Sequence, residues 1–386
     1  MLTDGIKDAL ICLKAGMPLP RLWTRRDYFF RRDGTALPPR IIYITLSPAC
    51  NLKCMMCDIG SKVSSSTWYK SSIGDVSKRL RMQDLEKILD SLDPKITAIG
   101  LSGTEPLLAP NFDEFLGYAK SRGFQVQITT NGTLLKEHVD EIVEHQVDSL
   151  GISIDGPVDI HDKLRGVPGT YGKAMEGLKI LLEARARERI KMRISVSVTV
   201  TPLNVKVLAD FVKTLLETDI DSVTVSHLGY RDSKIVEAQR ALDGGRWTVS
   251  QSAPGIFSPQ DVDADELFHQ LSILSDSKYS SRVKIIPRMD LSELKNYYYD
   301  SLYNVLGTGC FYPWIGASIA SDGEVFVLPM CVGVSMGNVL EHGIQEIWNG
   351  EGFKNFRKWL RDNPAPPACL RCCSWYRIHN KKKVEH

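Results

Sequence analysis

The sequence predicts an α/β fold, a partial (β/α)6 TIM-like barrel followed by a small C-terminal α+β domain. Six apolar runs rich in β-branched residues recur along residues 41–230, and segments of helical periodicity lie between them. Strands that alternate with helices form a parallel sheet with right-handed crossovers. The chain has 386 residues, more than one domain usually holds, so a barrel with an appended domain is expected.

The six predicted strands alternate apolar and small polar residues or are apolar throughout. They lie at residues 41–46, 96–103, 125–130, 149–155, 192–201 and 222–228. Working residues of such a sheet lie where the strands end, because the carboxyl ends of parallel strands and the loops after them share one face.

Three further regions surround the predicted barrel. Residues 1–40 contain an amphipathic helical pattern at 4–15 and are predicted to form an N-terminal helical cap. Residues 231–282 lose the strand rhythm and a last strand is predicted at 283–287; residues 231–300 together are predicted to connect or insert beside the barrel mouth. Residues 301–386 are predicted to form the terminal domain, with a hairpin that turns at Ser321-Asp322-Gly323.

The composition excludes several classes of protein. With 48 basic and 46 acidic residues the net charge is +2, which gives no electrostatic reason to expect a nucleic-acid or membrane partner. The sequence contains no long apolar stretch, and its first residues include acids that a signal peptide would lack, so a cytoplasmic protein is expected. Nine cysteines in that compartment indicate metal or redox ligands instead of disulfides.

Three cysteines, Cys50, Cys54 and Cys57, follow the first predicted strand on one short loop. Zinc sites usually draw four ligands from paired Cys or Cys/His motifs. Three cysteines suit a cubane iron–sulfur cluster with one iron left open to a substrate or cofactor. A structural zinc loop, or a set of unrelated buried thiols, is the alternative interpretation.

This C-x3-C-x2-C loop resembles the signature of radical S-adenosylmethionine (SAM) enzymes. The resemblance implies a [4Fe-4S] cluster on the three cysteines, whose fourth iron chelates the amino and carboxylate groups of SAM. The segment Gly103-Thr104-Glu105-Pro106 after the second strand resembles the family's G-G-E-P motif, with Thr104 in place of the second glycine. By that resemblance its backbone and Glu105 hold the methionine amino group, because a carboxylate complements an ammonium.

The run from residue 152 to 166, with the segment 169–181 after it, resembles a stretch shared by radical SAM enzymes that carry SPASM-type C-terminal domains. The resemblance implies that Ser153 contacts the ribose or carboxylate of SAM and that Asp155 and Arg165 lie near it. Asn131, at the end of the third strand, is a further expected cofactor contact. His161 and Asp162 are predicted to cap a helix in preference to acting in catalysis.

Five cysteines near the C-terminus resemble those of a SPASM or shortened twitch domain. Their number implies one auxiliary [4Fe-4S] cluster, with Cys310, Cys331, Cys369 and Cys372 as ligands and Cys373 spare, although Cys372 and Cys373 can exchange roles. Four thiolates suit zinc equally well on chemical grounds, and the resemblance favours the cluster.

The resemblance implies that reductive cleavage of SAM gives a 5′-deoxyadenosyl radical, which removes hydrogen from a substrate. Flavodoxin or ferredoxin is the expected reductant. An auxiliary cluster would favour dehydrogenation, whereas a free Cys373 that returns hydrogen would favour epimerisation.

Only forty residues precede the first strand, without a winged-helix pattern, so a small hydroxyl-rich substrate such as a sugar or aminocyclitol is expected in preference to a peptide. A peptide-modifying (RiPP-type) maturase is the alternative. A non-catalytic iron–sulfur electron carrier or zinc-binding protein is the alternative of another class.

Overall fold

The computed structural model describes residues 26–75, 77–252, 258–305, 310–328 and 332–372. The helix predicted at 4–15 lies outside the described residues, as do Cys331 and Cys373. No helix within these ranges is long and apolar enough to cross a membrane.

A nine-stranded sheet forms the centre of the molecule. Its strands are β1 (Ile41–Ile44), β2 (Ala98–Leu101), β3 (Val126–Thr130), β4 (Ser149–Ser153), β5 (Arg193–Val200), β6 (Ser222–His227), β7 (Val283–Ile286), β8 (Gly316–Ile319) and β9 (Val325–Val327). Their spatial order is β7-β6-β5-β4-β3-β2-β1-β8-β9. Neighbours from β1 to β7 pair in parallel, so the six predicted strand positions and the predicted parallel sheet are confirmed.

Helices lie between the strands where the sequence predicts them. They are α1 (Arg26–Phe30), α2 (Thr67–Ile73), α3 (Met82–Asp90), α4 (Phe112–Ser121), α5 (Val139–Glu144), α6 (Val158–Arg165), α7 (Thr170–Arg187), α8 (Leu208–Leu216), α9 (Ser233–Asp243), α10 (Ala264–Asp276), α11 (Leu291–Tyr299), α12 (Ile344–Trp348) and α13 (Glu351–Asp362). Along the chain, the short helix α2 follows the cysteine loop and the short helix α6 follows β4.

The two faces of the sheet differ in polarity. In β5, Ile194, Val196 and Val198 are fully buried, while Ser195, Ser197 and Thr199 on the other face are half-buried. Because successive side chains of a strand point to opposite faces, the apolar set packs beneath the helices and the hydroxyl set lines the inner face of the barrel.

The C-terminal strands continue the barrel sheet. β8 pairs in parallel with β1, with Ile41 opposite Gly316, and β9 returns antiparallel to β8. The predicted hairpin around Ser321-Asp322-Gly323 is therefore confirmed. This pairing adds two strands of the C-terminal region, β8 and β9, to the barrel sheet beside β1.

The segment before β1 packs against the C-terminal part of the chain. The ring of Tyr28 meets those of Phe311 and Trp314 edge to face, with centroids 4.5 and 5.0 Å apart. The buried guanidinium of Arg357 donates to the carbonyl oxygens of Pro313 and Gly34 at 2.7 and 3.0 Å. These contacts tie the N-terminal and C-terminal parts of the described chain together.

Candidate active site

The cysteine loop that follows β1 lies along the last turn of α6. The backbone amides of Lys53 and Met55 donate to the carbonyl oxygens of Arg165 and Leu164 at 3.0 and 2.9 Å. Gly166 ends α6 at a φ of +70°, and a Cβ there would stand 2.3 Å from the carbonyl oxygen of Lys53. Glycine is therefore required where the helix end and the loop touch.

The three thiols of this loop share one partly enclosed environment. Cys54 is buried, Cys57 is half-buried and Cys50 is exposed. Burial raises the pKa of all three thiols, that of Cys54 to about 11, and neighbouring thiol groups add to the rise at Cys50 and Cys54. Mutual influence of this kind requires the thiols to be near one another.

The G-T-E-P segment lies directly beside the residues that precede Cys50. The Glu105 amide donates to the carbonyl oxygen of Ala49 at 3.2 Å, and the Thr104 hydroxyl donates to that of Ser47. Gly103 has a φ of +108°, and a Cβ there would approach Thr45 Oγ1 to 2.4 Å. The structure thus brings the predicted cysteine loop and the second-strand motif together.

Glu105 joins the ends of β2 and β3. Its buried carboxylate accepts from the Thr130 hydroxyl at 2.7 Å and from the amides of Asn131 and Leu107 at 2.7 and 3.1 Å. Burial raises the pKa of Glu105, against the effect of these hydrogen bonds. Pro106 begins a short 3-10 helix, Pro106–Leu108. Sequence reasoning missed the structural role of Glu105, and its contact with a cofactor stays a prediction.

Asn131 connects the third strand end to the cysteine loop. Its Nδ2 donates to Asn51 Oδ1 at 2.9 Å, and Asn51 Nδ2 donates to the Thr133 hydroxyl at 2.8 Å. Asn131 Oδ1 accepts from the Thr133 amide at 2.9 Å. These contacts use the side chain of Asn131 to fix the loop, and its predicted contact with a cofactor stays untested.

Asp155 is anchored by groups from β5 and α6. Its carboxylate accepts from the Thr199 amide at 2.9 Å, and its carbonyl oxygen accepts from Asn204 Nδ2 at 2.7 Å. His161 lies inside α6, fully buried, and its Nδ1 accepts from the Asp155 amide at 3.1 Å. His161 therefore supports Asp155 and does not cap a helix end. Ser153 is the last residue of β4 and is half-buried on the inner face.

Asp162 performs the capping role expected from the sequence. Its carboxylate accepts from the amides of Gly169 and Tyr171 and from the hydroxyl of Thr170, at the start of α7, at 2.5 to 2.8 Å. The predicted preference for a cap at this residue is confirmed.

Arg165 connects Asp155 to the cysteine loop. Its Nη2 lies 2.6 Å from Asp155 Oδ2, and its Nη1 donates to Cys54 Sγ at 3.8 Å. Burial opposes the charge of this guanidinium, but Asp155 and Cys54 more than offset that effect and raise its pKa. A permanent cation therefore stands beside a predicted cluster ligand.

The residues at this edge fit a [4Fe-4S] cluster on a chemical criterion. Three thiolates carry negative charge into a partly buried site, and Arg165 supplies a compensating positive charge beside Cys54. Within the described ranges, no group of three or more Cys, His, Asp or Glu side chains is arranged around one ion position. A cubane binds each thiolate through a different iron, so its ligands do not have to meet at one point.

Cys369 and Cys372 lie on a second, separate loop near the C-terminus. Cys369 ends a 3-10 helix, Pro367–Cys369, and the Cys372 amide donates to its carbonyl oxygen at 3.1 Å. Cys369 packs with Leu370, Ala365 and Cys372, while Cys310 is buried in the main core. The other predicted residues of this site, Cys331 and Cys373, lie outside the described residues.

An arginine inside the second loop fixes its position. The buried Arg371 donates to the carbonyl oxygens of Tyr297, Tyr303 and Asp300 at 2.9, 2.9 and 2.5 Å. These acceptors lie at and just beyond the C-terminal end of α11, where carbonyl groups lack helical partners. The Ala368 amide also donates to Gln239 of α9 at 3.1 Å. Sequence reasoning gave no signal for either contact.

Comparisons with known proteins agree with both sites. Residues 44–212 match the family model described as the radical SAM superfamily. Residues 310–373 match the model named SPASM, described as an iron–sulfur cluster-binding domain. The two matches cover the first and the second cysteine loop respectively.

Two curated relatives align with most of the chain. The pre-heme d1 synthase of Dinoroseobacter shibae is 25% identical over 356 residues, which cover 88% of this chain and 81% of that protein. The Fe-coproporphyrin III synthase of Methanosarcina barkeri is 23% identical over 382 residues, which cover 91% and 87%.

Among solved structures, Streptococcus suis SuiB bound to the precursor peptide SuiA is similar in fold. The TM-score is 0.59 at 15% sequence identity, and the alignment covers 87% of this chain and 71% of SuiB. The partial barrel, the cysteine loop at its mouth and the two family matches agree with one another: the chain belongs to the radical SAM superfamily, carries a SPASM iron–sulfur domain, and uses SAM together with a SAM-binding and an auxiliary iron–sulfur centre.

Proposed function

We propose that this enzyme cleaves SAM reductively at the barrel mouth and oxidises a carboxylate-bearing tetrapyrrole. One observation carries the first part: the loop with Cys50, Cys54 and Cys57 is hydrogen-bonded to the ends of β2 and β3 and to α6. Ligands for a cluster and polar groups for SAM therefore meet at one edge of the sheet.

The three cysteines of the first loop hold the cluster, and the G-T-E-P segment, Asn131, Ser153 and Asp155 surround bound SAM. When bound, the reduced cluster supplies the electron that splits SAM into methionine and a 5′-deoxyadenosyl radical, which takes hydrogen from the substrate. The chain's own part is to orient SAM and the substrate and to exclude water, because a well-oriented C–H bond reacts in preference to solvent. Flavodoxin or ferredoxin provides the electron.

The second loop belongs to an auxiliary [4Fe-4S] cluster with Cys310, Cys331, Cys369 and Cys372 as ligands. Bound there, a cluster with four protein ligands would supply an acceptor for the second substrate electron; with loss of a proton, removal of a hydrogen atom and this electron would amount to a two-electron oxidation. With Cys373 as a free hydrogen donor the result would be epimerisation, and deuterated solvent separates the two outcomes. In this proposal the barrel spans residues 41–230 and the auxiliary domain residues 301–386, with residues 1–40 and 231–300 as cap and connection.

Two observations support the tetrapyrrole. Both reported relatives are named for tetrapyrrole products and align over most of their own length. In addition, one register row on the inner face runs from Ser153 through Ser197 and Thr224 to the exposed Lys284. Hydroxyl groups and an ammonium are suitable donors to carboxylates. This substrate replaces the small hydroxyl-rich metabolite expected from the sequence, since neither relative's name denotes one.

The test begins with anaerobic reconstitution and reduction with dithionite, followed by measurement of 5′-deoxyadenosine from SAM. We expect a panel of tetrapyrrole carboxylates to include a compound that stimulates its formation, and a sugar panel and a peptide panel to leave it unchanged. No 5′-deoxyadenosine from a protein with intact clusters would overturn the proposal in favour of an electron carrier. Stimulation by a sugar or peptide alone would overturn the substrate assignment.

Lys284→Gln tests the substrate row with its fold intact, because Lys284 is exposed. We expect the KM for the tetrapyrrole to rise roughly tenfold, the equivalent of about 1.4 kcal/mol, while cleavage of SAM without substrate stays unchanged. Lys163→Gln, which removes another exposed charge, is the matched control. An unchanged KM in Lys284→Gln would remove Lys284 from the site.

A further inference from the structure

Arg165 contacts the cysteine loop in two ways. Its carbonyl oxygen accepts from the Lys53 amide at 3.0 Å, and its guanidinium donates to Cys54 Sγ at 3.8 Å. The side chain is 12% exposed, so little water screens its charge. Sequence resemblance placed Arg165 near SAM, whereas the structure directs its guanidinium to a cysteine sulfur.

The position of this guanidinium is fixed from the other side by Asp155. The carboxylate of Asp155 lies 2.6 Å from Arg165 Nη2, is fully buried, and accepts from the Thr199 amide at 2.9 Å. A continuous row of contacts therefore runs from β5 through Asp155 and Arg165 to Cys54. Asp155 also supplies a negative charge that partly cancels the positive charge near the sulfur.

Reduction adds one electron to a cluster that already carries negative thiolate charge. A nearby cation and a hydrogen bond to sulfur stabilise the more negative, reduced form, and both are among the factors that set the potentials of iron–sulfur clusters. We propose that Arg165 is a positioning residue that raises the reduction potential of the cluster held by Cys50, Cys54 and Cys57, and that Asp155 limits this increase.

This inference concerns the electron that enters the cluster, a step before the cleavage and the substrate chemistry proposed above. It predicts that removing the charge of Arg165 lowers the reduction potential of the cluster and that removing the charge of its ion-pair partner Asp155 raises it. If Arg165 and Asp155 only held α6 against the loop, changes at either residue would alter iron content or stability and leave the potential unchanged.

The experiment compares Arg165→Gln, Arg165→Lys and Asp155→Asn with the unchanged protein and with Lys163→Gln, an exposed charge on the same helix. Each protein is reconstituted anaerobically, its iron and sulfide are counted, and the reduced cluster is followed by electron paramagnetic resonance in a mediated redox titration without SAM. SAM is added only at the end, to identify the signal that belongs to the cluster with an open iron.

We expect the reduced fraction of Arg165→Gln at a fixed potential near the midpoint to correspond to about a tenfold weaker reduction equilibrium, which is 59 mV for one electron. Arg165→Lys should fall between this variant and the unchanged protein, because it keeps the charge but loses the planar donor set. Asp155→Asn keeps an acceptor for Thr199 and should shift the potential upward.

Equal potentials in all five proteins would overturn the proposal, as would a downward shift in Asp155→Asn. Should Arg165→Gln bind too little iron to titrate, the ordering of Arg165→Lys, the unchanged protein and Asp155→Asn decides the matter. Because the titration contains neither SAM turnover nor substrate, its failure is distinct from a failure of the proposed function.

Discussion

Each of the two cysteine loops has an arginine with little exposed surface, but the two arginines act on different parts of their loops. Arg165 stands outside the first loop and directs its guanidinium to Cys54 Sγ. Arg371 stands inside the second loop, between Cys369 and Cys372, and directs its guanidinium away, to carbonyl oxygens at the end of α11. Arg165 can therefore influence the electrostatic environment of a predicted cluster ligand, whereas Arg371 fixes the position of its loop.

The comparison teaches that cluster sites can be supported in two separable ways. The first loop is already held by backbone contacts to α6 and to the second strand end, so its arginine is available for an electrostatic role. The second loop depends on one guanidinium for several of its anchoring contacts. Changes at the two loops should therefore leave different signatures.

The largest effect is expected when the first loop loses a ligand. Cys54→Ala should abolish 5′-deoxyadenosine formation and lower the iron content by about four of about eight atoms per chain. Iron analysis and product detection check this result. Retention of SAM cleavage in this variant would show that the first loop is not the SAM-binding site.

Loss of a ligand in the second loop should separate the two sites. Cys369→Ala is expected to lose a similar amount, about four iron atoms, and to stop product formation, yet to keep SAM cleavage without substrate. The same two measurements apply. If 5′-deoxyadenosine formation also disappears, the loops are not independent and the comparison fails.

Removal of Arg371, which anchors the second loop, should lower the stability of the protein but leave SAM cleavage at the first loop intact. Arg371→Ala leaves several buried carbonyl oxygens without their donor, and we expect a loss of about 2–4 kcal/mol. The midpoint of thermal unfolding should fall accordingly while SAM cleavage persists. Arg240→Ala, an exposed arginine on α9, is the control and should be nearly neutral. An equal loss in both variants would contradict the anchoring role.

Acid should weaken the support of the first loop through His161. Burial lowers the pKa of His161 to about 4, below the ordinary value of 6.5, so the unfolded chain binds a proton more readily than the folded one. Stability is therefore complete above pH 6.5 and falls as the pH approaches 4, with a loss of about 2 kcal/mol at pH 5.

His161→Asn should remove this part of the acid sensitivity, because an amide oxygen can still accept from the Asp155 amide. The difference in thermal stability between pH 7.5 and pH 5 measures this acid sensitivity. His342→Asn, at an exposed histidine, should leave the pH dependence intact. His227, whose pKa burial also lowers to about 4, retains its own contribution in both variants. A pH dependence unchanged by His161→Asn would contradict the assignment.

The smallest effects are expected from alanine at two glycines, one of which has backbone strain alone and the other backbone strain together with a steric clash. Gly103 and Gly123 both have positive φ, +108° and +84°, but a Cβ meets Thr45 only at Gly103 and has nothing within 4 Å at Gly123. Alanine should cost about 1–2 kcal/mol in backbone strain at each site, and the clash with Thr45 should add to that cost at Gly103. Only Gly103→Ala should also raise the KM for SAM, since it displaces the segment beside the cysteine loop. Equal KM values in the two variants would separate this segment from SAM binding.

Local patterns account for the parts of the fold that the sequence predicts. Apolar and polar side chains alternate along residues 192–201. This alternation predicts a strand with one buried and one polar face, because successive side chains of a strand point to opposite faces. The pairing of β8 with β1 joins Gly316 to Ile41 and has no local signal, so the C-terminal strands were expected in a separate domain. Which strands pair across such a distance in sequence is determined only when the whole sheet assembles.

The candidate site divides in the same way. The rule that parallel strands present their carboxyl ends at one face brings Cys50, Glu105, Asn131 and Asp155 together. It does not say which side chain meets which. The guanidinium of Arg165 contacts Cys54 because Asp155 holds its Nη2. This ion pair forms only because Arg165 is the last residue of α6, a position that the rule does not predict.

The pairing of β1 with β8 has a consequence for how the protein is made. β1 lies between β2 and β8, so one of its edges stays without a partner until residues 316–319 have emerged from the ribosome. An unpaired strand edge is a template for wrong association, and nascent chains generally begin to fold from their N-terminal parts. The nascent enzyme therefore carries an open sheet edge next to its first cysteine loop through most of translation, until β8 is available to pair with β1.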